Sequence, residues 1–105
     1  MAQIVWTEKA SSHLQAIYEY IAHDSPIYGE RFVRSLVKAT VTLQDAPLSG
    51  RIVPEFNDPN LREVVFRNYR IVYSVANPSL LQILAVVHGA RDFIPSFTNE
   101  RDISQ

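Results

Sequence analysis

The sequence predicts an α+β fold: an N-terminal strand, then an antiparallel helical hairpin packed on one face of a small, mainly antiparallel sheet. Three observations predict it. Apolar residues recur at helical spacing from Ala10 to Leu43, the period changes after a proline-rich loop between Asp45 and Asn60, and three strand-like runs joined by short turns follow.

"QIVW", Gln3 to Trp6, reads as the first strand. Thr7 is placed to cap a helix, with Glu8 favourably charged in its first turn. Ala10, Leu14, Ile17 and Ile21 form the packing stripe of this helix, and Lys9, Ser12, Ala16 and Glu19 its wet side. Ser25 followed by Pro26 starts a second helix, a capping hydroxyl before proline at the first helical position. Phe32, Leu36, Ala39 and Leu43 mark its stripe, widened by Val33, Val37 and Val41, and Pro47 ends it near Ala46. The short link makes the two helices antiparallel.

"DAPLSGRIVPEFNDPN" is a loop with an extended piece at Arg51–Phe56. Leu61–Phe66 and Tyr69–Ala76 are strands joined by the tight turn Arg67-Asn68, where asparagine tolerates positive φ. After the turn "ANPS", Leu80–Val87 is almost wholly apolar and is expected to be central in the sheet. A short, partly apolar tail, Phe93–Phe97, precedes a polar end over about residues 98–105. The whole chain, 1–105, is expected to be one domain.

With a two-residue turn, Phe66 faces Tyr69, Val65 faces Arg70 and Val64 faces Ile71. Alternation then puts Arg62, Val64, Phe66, Tyr69, Ile71, Tyr73 and Val75 under the helices. Glu63, Val65, Arg70, Val72 and Ser74 point the other way, to a face left for solvent, a partner or a substrate. Arg62 on the helix side has no evident role beyond reaching outward from a strand end.

Net charge is −1, which lacks the basic excess of a general nucleic-acid binder. From Leu61 to Arg91, however, four arginines stand against one glutamate. The chain contains no cysteine, so disulfides and thiolate metal sites are excluded. No signal peptide, membrane span, metal site or cofactor is expected, and the predicted location is the cytoplasm. His13 and His23 have no third ligand near them in sequence.

"IVWTEKASSHLQAIYEYI", "SGRIVPEF", "LREVVFRNYRIVYSV" and "LLQILAVVHGARD" together resemble the RelE/ParE toxins of type II toxin–antitoxin modules, in the family's order and over most of the chain. The resemblance implies the architecture just read from the residues. It also implies a cognate antitoxin, a disordered segment of which folds over the toxin, and assembly as a homodimer or a toxin–antitoxin heterotetramer. RelE-like members cut mRNA on the ribosome, whereas ParE-like members bind DNA gyrase and block it.

For a nuclease, the resemblance makes Arg70, His88, Arg91 and Glu55 the catalytic candidates, as phosphate-binding cations and proton-transfer groups. For a gyrase inhibitor, Arg70, Glu63, Arg51 and Arg91 are the target-binding candidates. No lysine follows Lys38 and no tyrosine follows Tyr73, so the lysine pair and C-terminal tyrosine of RelE-like sites are missing. That favours the ParE-like reading. Each candidate also has a plain structural reading: Arg70 paired across the strands with Glu63, Arg51 bracing its loop, Glu55 simply exposed, His88 hydrogen-bonded in a loop, and Arg91 paired with Asp92.

Overall fold

The computed structural model describes residues 1–89. It contains β1 (Gln3–Trp6), α1 (Glu8–Ala22), α2 (Pro26–Val41) with a short 3-10 extension at Thr42–Gln44, β2 (Arg51–Ile52), β3 (Leu61–Phe66), β4 (Tyr69–Asn77) and β5 (Leu80–His88). The strands form one sheet in the order β1-β5-β4-β3-β2. β1 runs parallel to β5, and every other pair is antiparallel. β4 is therefore the middle strand, and β5 is interior between β1 and β4. No helix among the described residues is long and apolar enough to cross a membrane.

Thr7 links the strand to the first helix. Its hydroxyl accepts from the Ala10 amide at 3.1 Å and donates to the Ile83 carbonyl at 2.9 Å, so one residue caps α1 and ties it to β5. Ser25 caps α2 by accepting from the Tyr28 amide, with Pro26 opening the helix. At the crossing of the helices, a Cβ on Gly29 would come within 3.1–3.3 Å of Ala22, so a bare backbone suits the contact.

The main core lies between the hairpin and the sheet. Ala10, Ile17, Leu36 and Leu43 meet Ile71, Tyr73, Leu81, Ile83 and Val86, with Val64, Phe66, Tyr69 and Val75 packed around them. The helix-facing set read from alternation is thus in place, and the β3–β4 register is the expected one. Val41 differs: it is 49% exposed, beyond the edge of the α2 stripe. Positive φ in the β3–β4 turn falls on Arg67 (+56°), whereas asparagine next to it was the expected residue for that conformation.

The sheet face turned away from the helices is not left bare. Val53 and Leu61 pack with Val72, Leu84, Ala85 and Val87 into a second apolar cluster, and Phe56 lies against it. The β2–β3 connection crosses this face because Val53 and Phe56 are apolar and must be buried somewhere. A bulge at Leu84, between the pairs Val72–Ala85 and Tyr73–Ile83, lets β5 supply both clusters.

Candidate functional site

The charged candidates converge on that second face. Register pairs Val65 with Arg70 and Glu63 with Val72, so Glu63 and Arg70 sit diagonally on adjacent strands, pointing away from the helices. Nε of Arg70 donates to Oε1 of Glu63 at 2.6 Å. Its two terminal nitrogens donate to the two oxygens of Glu55 at 2.9 and 2.8 Å, a bidentate pair. Arg51, opposite Glu63 on β2, donates to the other oxygen of Glu63. Arg51, Glu63, Arg70 and Glu55 thus form one alternating chain of charge.

Burial grades along the chain. The Glu63 side chain is 0% exposed and that of Arg70 8%, whereas Glu55 is 26% and Arg51 61% exposed. Hydrogen bonding to Arg70 holds the Glu55 carboxyl below its ordinary range, against a smaller opposing effect of burial. The same bond to Glu55, with Glu63 adding to it, pushes the Arg70 guanidinium further up, so it is permanently charged.

The loop carrying Arg51 and Glu55 is fixed by two residues that the sequence reading did not single out for this purpose. Tyr73 is fully buried; its hydroxyl donates to the Pro47 carbonyl at 2.7 Å and accepts from the Gly50 amide at 3.0 Å. Burial raises the phenol above its usual range, so it stays a donor. Arg62, the unexplained arginine on the helix side, donates to the carbonyls of Pro59, Leu48 and Gly50 at 2.7, 3.2 and 3.1 Å. It joins both ends of the connection. A cation within reach of several loop carbonyls was the only signal for it in the sequence, and that signal needs the loop's path.

One other candidate is placed elsewhere. His88 pairs with Tyr69 on the helix side, their rings edge to face with centroids 5.2 Å apart, so it does not share the Arg70 face. Arg91 lies outside the described residues. Among the described residues no three histidine, aspartate or glutamate side chains come together to hold a metal.

The arrangement is therefore a cationic centre neutralised by two carboxylates, with Glu55 and Arg51 at its exposed rim. Residues 4–93 match the family model described as ParE toxin of type II toxin-antitoxin system, parDE. The chain belongs to the ParE toxin family. This toxin is also similar to Toxin RelE2 of Caulobacter vibrioides, at 39% identity over 92 residues, covering 87% of this chain and 99% of the relative. A solved structure described as a chromosomal ParDE TA system from P. aeruginosa superposes with a TM-score of 0.71 at 25% identity, covering 85% of this toxin and 97% of that chain. The toxin is accordingly the toxic half of a type II toxin–antitoxin pair within the RelE/ParE superfamily, and that family implies an antitoxin partner.

Proposed function

We propose that this toxin arrests growth by binding DNA gyrase, with no covalent chemistry of its own, and that its antitoxin neutralises it by folding across its surface. The state of Arg70 carries the reading. A nuclease needs a cation free to meet a phosphate in the transition state. Here the guanidinium is bonded to Glu63 and Glu55 at 2.6–2.9 Å. A phosphate could replace Glu55 only by breaking a bidentate pair.

The composition supports the same reading, since no lysine follows Lys38 and no tyrosine follows Tyr73. Phenylalanine at 93 or 97 cannot transfer a proton. The exposed rim, Arg51 and Glu55, is the part of the network open to a protein target. Purified toxin is expected to inhibit gyrase supercoiling, and added antitoxin to restore it. Supercoiling untouched at high molar excess of toxin overturns the proposal.

One observation favours a second reading, ribosome-dependent mRNA cleavage: the 39% identical relative bears the name Toxin RelE2. Toeprinting on translating ribosomes separates the two. Cleavage that disappears in Glu55→Gln and Arg70→Lys but persists in His13→Ala selects the nuclease.

A further inference from the structure

The described residues include six arginines, at positions 31, 34, 51, 62, 67 and 70. Four of them are tied to oxygen. Arg34 bonds Glu30, Arg51 bonds Glu63, Arg62 bonds three carbonyls, and Arg70 bonds Glu63 and Glu55. Among the described residues, Arg31 and Arg67 have no carboxylate partner, and both line one cleft. Tyr28, Phe32 and Ser35 of α2 and Phe66 of β3 complete it, and its volume is about 190 Å³.

The cleft has an apolar wall and a cationic lip. The Phe32 ring meets Tyr28 at 6.3 Å and Phe66 edge-on at 5.5 Å, so the wall is a packed aromatic stack. The Arg67 guanidinium lies 5.5 Å from the centre of the Phe66 ring. Tyr28 is 57% exposed, and Ile27 beside it is 68% exposed. Arg67 also occupies the left-handed region, at φ +56°. Glycine would hold that turn at less conformational cost, and strain kept in a folded chain points to use of the side chain.

We propose that this cleft is a docking site for an acidic segment of a protein partner, one that presents a bulky apolar side chain next to a carboxylate. The volume holds one side chain, the aromatic wall receives it, and the Ser35 hydroxyl and the guanidiniums of Arg31 and Arg67, which have no carboxylate partner among the described residues, receive the acid. A nucleic acid fits less well. Polyanion binding rests on many phosphate contacts, whereas this lip offers only the guanidiniums of Arg31 and Arg67 among the described residues, on a chain of net charge −1, with Glu30 one residue away from Arg31. The site is separate from the Arg70 network and does not depend on the identity of the toxin's target.

The test is a chemical-shift titration of the full-length, isotopically labelled protein. The probes are a heptapeptide of one phenylalanine flanked by three glutamates on each side, the same peptide with glutamines, and a thymidine decamer. The acidic peptide is expected to shift amides at 27–35 and 66–68, and to bind more weakly as salt rises. Arg31→Glu is expected to abolish binding. Arg67→Gly is expected to weaken it about ten-fold, as for loss of one charge-assisted contact, with a melting temperature equal to or above the parent's. The proposal is overturned if the glutamine peptide binds equally well, if the decamer binds more tightly than the acidic peptide, or if Arg67→Gly binds normally. A fall in melting temperature in Arg67→Gly would also overturn it, because Arg67 would then be there for the fold.

Discussion

Arg70 and Glu63 lie on adjacent strands, 2.6 Å apart from nitrogen to oxygen, on the sheet face turned away from the helices. The acid is wholly buried, and the arginine holds one of its two oxygens. Arg70→Met leaves that carboxylate short of a cation and is expected to cost about 3–5 kcal/mol, measured by urea unfolding. The double variant Arg70→Met/Glu63→Leu is expected to recover much of the loss, because an apolar pair needs no compensation. Additive losses in the double variant would contradict this account.

Gly50 is required by contact. A Cβ there would lie 2.6 Å from the Tyr73 hydroxyl oxygen and 2.8 Å from the Glu63 carbonyl oxygen. Gly50→Ala is expected to destabilise by about 1–3 kcal/mol through overpacking. Tyr73→Phe strips the Pro47 carbonyl and the Gly50 amide of their partner and is expected to cost a similar amount, about 1–3 kcal/mol. Thermal melts of both variants check this.

The lowered pKa of Glu55 makes stability pH-dependent in one direction. Its folded value lies below its unfolded one. The contribution is therefore complete above the ordinary glutamate range and disappears as pH falls through the depressed folded value. Melting temperature is expected to fall on acidification, and Glu55→Gln to show a shallower acid limb and a lower plateau near neutrality. Parallel limbs in the two proteins would show that Glu55 does not contribute.

His13 continues the sheet where β1 stops. The last β1 pair is Trp6–Ile83, and beyond it Nδ1 of His13 accepts from the Val86 amide at 3.1 Å. His13→Ala is expected to cost about 1–2 kcal/mol for the stranded donor. Native-state hydrogen exchange at Val86 is expected to accelerate more than at Ile71, its paired neighbour on β4.

The helices, their caps and the β3–β4 register were legible because each is local. Ala10, Leu14, Ile17 and Ile21 recur with the helical period, Thr7 and Ser25-Pro26 cap within three residues, and a two-residue turn sets the pairing of Val65 with Arg70. The same locality explains the misses. Nothing near Gln3–Trp6 says that β1 will run parallel to β5, some eighty residues away. Val53 and Phe56 look like loop residues until the chain lays them over Val72 and Leu84.

The amino-acid order by itself determined which side chains share a face, since period and turn length decide that without reference to the rest of the chain. Only the tertiary structure decided what each charge on a face does. Arg70 and Glu55 are fifteen residues apart, and Arg62 and Leu48 fourteen. Whether such groups meet depends on the path of the loop between them. That path is fixed by contacts of a few ångströms that no periodicity encodes.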